Sequence, residues 1–191
     1  MQGSDKRFVI PVYQRNYDWK TENCKQLFDD LRKVVKMQRK SHFFGSIVSV
    51  YNPDGENMEF QIIDGQQRLT TLFIILSVLG ETSVYSLEYE TRNDSKDFLK
   101  NIDESKKNKN IDYYHIYQSK QTVTSWFGND KEKKAKFKNI LLNSVKFIWY
   151  ESVDEDPIKV FTRLNIGKIS LTNAELIKAL FLNRSNFGEK D

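Results

Sequence analysis

The chain has 191 residues, 39% hydrophobic and 13% aromatic, and its 30 Lys and Arg against 26 Asp and Glu leave a net charge of +4. That length and aromatic content fit one well-buried globular domain over 1–191 and exclude a disordered chain, while the mild positive charge permits an anionic partner without demanding one. Cys24 alone excludes an internal disulfide, His42 and His115 leave no His/Cys zinc cluster, and the apolar run Leu69 to Leu79 is shorter than the ~20 residues of a membrane span, so a soluble, cytoplasmic protein without membrane contact is expected.

"FVIPVYQRNYDW" (Phe8 to Trp19) opens as an apolar strand stopped by Pro11 and then alternates aromatic and polar residues. Cys24, Leu27, Phe28, Leu31, Val34 and Val35 recur at helical spacing and predict a helix with one buried face. Phe43 to Tyr51 and Met58 to Asp64 read as strands, and "NPDGEN" between them has the residues of a turn, which together predict an antiparallel hairpin. Its second strand feeds a helix from Leu69 to Leu79 that is apolar on nearly every side, as a helix in the middle of a domain should be.

Tyr85 to Glu90 reads as a short strand, and Thr91 to Asn110 as a polar loop with one helical turn. Helices are expected over Tyr113 to Phe127 and Lys131 to Leu142, and a strand over Val145 to Val153. Asp156 suits an N-cap, Pro157 the first position of the helix that follows, and Gly167 its exit. Thr172 and Glu175 have the spacing of a capping box on a last helix, so the connection "LNIGKISL" presents Asn165, Gly167 and Lys168 between two helix ends. The lysine runs Ser105 to Asn110 and Lys131 to Lys138 read either as solvated surfaces or as a path for a nucleic-acid backbone.

The chemistry concentrates in "IIDGQQRLTTL". A helix N-terminus has unpaired N–H groups and a partial positive charge, so a strand–turn–helix with Gly65 at the turn can take a phosphate. Arg68 in the first turn offers a guanidinium fork, and Thr70 or Thr71 a hydroxyl. Asp64, wrong for an anion, suits a magnesium ion bridging phosphates or the orientation of an attacking water. The plainer alternative is that Asp64 caps the helix, Arg68 pairs with an acid, and Gln66 and Gln67 satisfy backbone groups in the turn. In "VYQRNYDW" the alternation puts Tyr13, Arg15, Tyr17 and Trp19 on one side and Gln14 and Asn16 on the other, suited to stacking a base or to a packed aromatic corner. The sequence has neither a P-loop nor a Gly-rich dinucleotide fingerprint.

"IPVYQRNYDW", "FFGSIV", "IIDGQQRLTTL" and "FTRLNIGKISLTNAELIKALF" follow one another as do the signature blocks of the family typified by the N-terminal half of the GmrSD modification-dependent restriction enzyme. The chain resembles that family over nearly its whole length. The resemblance implies an α+β fold with a ParB/sulfiredoxin-like core, in which a β-hairpin feeds a buried helix surrounded by additional helices. It places Asp64, Gly65, Gln66, Gln67 and Arg68 at a nucleotide-binding and hydrolysis centre, with Gln14 and Arg15 beside it and Asn165 and Gly167 completing the pocket.

Asp64, Gln67, Arg68 and Arg15 are the expected catalytic residues, and Asp64 the ligand of Mg2+ or another divalent cation bound with a nucleoside triphosphate. The implied activity is triphosphate hydrolysis that regulates an HNH-type nuclease domain lying C-terminal to the chain, which reads as a fragment of a longer protein. Contact with DNA and a homodimer are further partners compatible with the resemblance. A ParB-like module that contacts DNA or senses a modified base, binding nucleotide without hydrolysis, is the competing reading.

Overall fold

The computed structural model describes residues 6–36, 41–52, 59–81, 84–153 and 155–165. Five strands form one mixed sheet: β1 (Arg7–Ile10), β2 (His42–Asn52), β3 (Glu59–Asp64), β4 (Ser86–Tyr89) and β5 (Val145–Val153), in the order β4-β1-β3-β2-β5. β1 is parallel to β3 and β4, while β2 is antiparallel to β3 and parallel to β5. Around the sheet run α1 (Thr21–Lys36), α2 (Gln66–Val78), α3 (Ser95–Lys100), α4 (Ile111–Phe127), α5 (Lys131–Asn143) and α6 (Pro157–Asn165). The α+β class expected from the sequence is the class observed, as is the antiparallel pairing of β2 with β3; the turn expected between them lies largely outside the described residues.

Alternation along the strands gives the sheet two apolar faces, each buried by different helices. On one, Phe8, Ile10, Ile47, Phe60 and Ile62 share a core with α2 (Leu69, Ile74, Ile75), α1 (Leu27, Phe28, Leu31) and α4 (Ile116, Val123). On the other, Val48, Val50 and Ile63 pack with Tyr13 and with Val160 and Phe161 of α6. α2 leaves β3 and reaches β4 across β1, which lies between them in the sheet. Because it is enclosed, its apolar residues on all sides are satisfied, and burial of each large one stabilises the fold by about 1.5–3 kcal/mol.

Several helix starts follow from their caps. Asp156 Oδ1 accepts from Ile158 N at 2.8 Å and Pro157 takes the first helical position, as the sequence predicts. Asn110 Oδ1 accepts from Tyr113 N at 2.9 Å, so α4 begins at Ile111 rather than Tyr113. α2 likewise begins at Gln66, three residues before the expected start, because the polar residues of its first turn hide the helical pattern. The segment expected to be a loop with one helical turn holds α3 and a 3-10 turn at Glu104–Lys106.

Since β1, β3 and β4 run parallel, their C-terminal ends share one edge of the sheet, where ligands are commonly bound in sheets of this kind. The chain leaves that edge through Pro11, Gly65 and Glu90, which brings the "YQRNYD" segment next to the start of α2. Among the described residues no helix is long and apolar enough to cross a membrane.

Candidate functional site

Gly65 is the N-cap of α2, with φ 96° and ψ 7°, a left-handed conformation that L side chains rarely adopt. A Cβ there would lie 3.0 Å from the Ser46 carbonyl oxygen and 3.1 Å from Ile47 Cγ1, so space as well as conformation demands glycine. The cap makes no side-chain hydrogen bond to the first turn, which leaves an N-terminus of the kind that attracts an anion. Arg68 stands in that first turn. Its Nη2 donates to Ser46 O at 2.6 Å and lies 3.8 Å from Asp64 Oδ2, and both side chains keep about a third of their surface in solvent, 30% and 33%.

The guanidinium rests against Gly45, where a Cβ would stand 3.0 Å from Nε and 3.2 Å from Cζ. Gly45 has φ +116° and sits in a bulge: Phe43 pairs with Lys146 and Ser46 with Ile148, so Phe44 and Gly45 together face Phe147. Gly45 and Ser46 are contributors that the sequence reading missed. The available signal was a glycine inside the strand pattern "FFGSIV", which marks a bulge or a close backbone approach.

The three glutamines fasten the segment after β1 to this end of α2. Gln14 Nε2 donates to Ile63 O at 2.6 Å, Gln66 Nε2 to Arg15 O at 2.8 Å and Gln67 Nε2 to Asn16 O at 2.8 Å, while Gln67 Oε1 accepts from Asp18 N at 3.1 Å. Gln66 and Gln67 are buried, so their side chains act as the backbone-satisfying alternative describes. The alternative of Asp64 as the cap does not hold, because Gly65 takes that position. Arg15, held by its own carbonyl, projects an exposed guanidinium 3.8 Å from Asp18.

One expectation needs correction, and one pair of alternatives is resolved. Thr70 and Thr71 do not face a ligand: both are fully buried, Thr70 Oγ1 bonded to Tyr89 OH at 2.8 Å and Thr71 Oγ1 to Gln67 O and Tyr17 OH, each at 2.8 Å. An all-apolar helix gives no indication of which face is outward, and these two positions point inward. Nor do Tyr13, Arg15, Tyr17 and Trp19 form an open aromatic stack. The chain turns at Gln14, whose N–H donates to Pro11 O, Tyr13 packs against Phe161 at 5.0 Å, and Tyr17 OH is sequestered by Thr71 and Ser119. Burial pushes both phenols far above their ordinary range, so they stay neutral. The packed-corner alternative is the one observed.

The family described as the GmrSD restriction endonuclease, N-terminal domain, matches residues 1–182. The chain belongs to that family. It is thus of the restriction-system class, and the signature blocks quoted above all fall within the matched residues. No curated protein matches the sequence.

Within this GmrSD-type domain four of the eight lysines of the two basic runs pair with acids and a fifth lies over a ring. Lys136 pairs with Glu132 at 2.7 Å, Lys138 with Glu81, Lys107 with Glu104 at 2.7 Å and Lys109 with Asp94 at 2.9 Å, while Lys133 lies 3.6 Å over the Trp126 ring. Asn165 is the last residue of α6, whose Phe161 meets Tyr13; the Asn165 side chain, Gly167 and the capping box at Thr172 lie outside the described residues. Among the described residues no group of three or more His, Cys, Asp or Glu gathers to hold a metal ion by itself. Asp64 is a part-exposed carboxylate 3.8 Å from Arg68 beside this helix end, and a single carboxylate of that kind suits a magnesium ion that takes most of its ligands from phosphates and waters.

Proposed function

We propose that this GmrSD-type domain binds a nucleoside triphosphate at the N-terminal end of α2 and hydrolyses it, and that the cycle regulates a nuclease domain C-terminal to it in the full-length protein. The observation that supports the reading is Arg68: a part-exposed guanidinium held in the first turn of a helix whose glycine cap makes no side-chain hydrogen bond, beside the carboxylate of Asp64. Its Nη donors would take phosphate oxygens together with the backbone from Gly65 to Gln67, Nε being buried. Asp64 would provide one ligand to a magnesium ion, which supplies neutralisation of phosphate charge, and would accept a hydrogen bond from the attacking water.

Arg15 would stabilise charge on the leaving phosphates. Gln14, Gln66 and Gln67 would act by holding Arg15 and Asp18 in place, since their amides are committed to backbone groups. Asn165 and Gly167 would contribute to the same pocket, as the family resemblance implies, within a ParB/sulfiredoxin-like core.

The test is phosphate release from each of the four ribonucleoside triphosphates with magnesium, beside Arg68→Ala, with thermal stabilisation by nucleotide measured on the same samples. Release that disappears in R68A supports hydrolysis at this site. Stabilisation without release converts the reading to a sensor that binds without turnover, and the absence of both release and stabilisation overturns it.

A further inference from the structure

We propose that the bulge at Phe44–Gly45 is a positioning device for Arg68 and that Gly45 is a positioning residue for phosphate binding; the claim rests on the reading of Arg68 given above. An arginine on the first turn of a helix has four rotatable side-chain bonds and would ordinarily sweep a wide volume, losing much of that freedom on gripping a ligand. Here the freedom is removed in advance. The missing side chain at Gly45 leaves room for Nε, Cζ and Cδ of Arg68, which lie within 3.0–3.3 Å of where a Cβ would be.

The same bulge turns the Ser46 carbonyl toward Nη2, at 2.6 Å, and Ser46 O also lies 3.0 Å from where a Cβ on Gly65 would stand. One short stretch of β2 thus fixes both the helix cap and the arginine. Phe44 and Phe147, edge to face at 5.3 Å, anchor the two sides of the bulge. A side chain at Gly45 meets the Arg68 side chain first, because the three atoms nearest to its Cβ position are Nε, Cζ and Cδ of that arginine.

The experiment is a double-mutant cycle of Gly45→Ala and Arg68→Ala, read as the affinity for MgATP and MgGTP from thermal shifts, with the ligand-free melting temperature recorded for every variant. Alanine at φ +116° is strained whatever it touches, and that strain is common to both backgrounds, so the cycle cancels it. Expected is a loss of affinity of about ten- to a hundredfold for G45A in the parent, and no further loss when it is added to R68A. Equal losses in both backgrounds, or none in the parent, overturn the proposal.

A second readout needs no nucleotide: labelling by an arginine-specific dicarbonyl, followed by mass spectrometry, should modify Arg68 faster in G45A, relative to exposed Arg15 as internal reference. An unchanged ratio overturns the positioning role. Failure of the parent to bind either nucleotide, with the labelling ratio raised, overturns the phosphate reading alone. Should G45A not fold, Phe147→Leu loosens the bulge without touching the glycine backbone and enters the same cycle and the same labelling, with the same two outcomes.

Discussion

Gln67 reaches from the first turn of α2 to Asn16, donating its amide to the Asn16 carbonyl at 2.8 Å while its oxygen accepts from the N–H two residues further on, at Asp18. A single buried side chain thereby replaces the strand partner that this stretch of backbone lacks. Gln67→Ala removes both bonds and opens a gap under the segment. The expected loss is about 1–3 kcal/mol, read as a lower denaturant midpoint with an unchanged slope. Gln67→Glu should cost at least as much, since a carboxylate faces the Asn16 carbonyl with no proton to donate. A Q67A variant as stable as the parent would show that the segment is held by other means.

Arg68 and Asp64 can be separated by what each variant leaves intact. Arg68→Lys keeps the charge but loses the planar fork, so nucleotide affinity should fall by roughly tenfold or more, consistent with ~1.5–3 kcal/mol for a charge-assisted hydrogen bond. Asp64→Ala removes a part-exposed ion pair of small energetic weight. Its folding stability should therefore stay within about 1 kcal/mol of the parent, with nucleotide binding retained and phosphate release lost. Turnover at the parental rate in both variants would remove this pair from the chemistry.

Much of this site was legible in the sequence because it is local. Asp64, Gly65 and Arg68 lie within five residues, and the junction of β3 with α2 follows from an apolar strand running into an apolar helix. What the sequence hid depends on contacts across the sheet. Gly45 meets Arg68 only because β2 pairs with β3 in one register and bulges against β5 in another. Thr70 and Thr71 look like ligand hydroxyls until Tyr89 of β4 and Tyr17, itself bonded to Ser119 of α4, close over that side of the helix. The start of α2 at Gln66 was hidden because the glutamines are buried polar residues, paired with a segment some fifty residues earlier.

Gly65 and Gly80 form an internal comparison. Both have positive φ, 96° and 82°, but a Cβ on Gly80 would meet nothing within 4 Å, whereas one on Gly65 meets Ser46 O at 3.0 Å and Ile47 at 3.1 Å. Gly80→Ala should therefore cost only the conformational strain, about 1–2 kcal/mol. Gly65→Ala should cost that and the displacement of β2 as well, roughly 2–4 kcal/mol in all, within the usual range for overpacking added to strain. Chemical denaturation of the two variants side by side measures the difference. Equal losses would mean that β2 yields freely to the new methyl group.

Asp112 gives the domain a pH dependence of defined sign. It is buried beneath the "YQRNYD" segment, accepts from Tyr17 N at 2.8 Å and lies 3.0 Å from Arg92. Burial outweighs both partners and raises its carboxyl above the ordinary value. The folded state therefore holds this proton more tightly than the unfolded chain does. The resulting stabilisation is fully present below the unfolded value of about 3.9 and is lost as pH rises through the folded value. Asp112→Asn cannot titrate and keeps an oxygen for Tyr17 N. The stability of the parent minus that of D112N should fall as pH is raised from about 3.5 through the mildly acidic range, then level off once the folded-state carboxyl is ionised. Thermal melts of both proteins across that range measure it, and a difference that rises instead would mean that Arg92 overcomes burial and holds Asp112 ionised.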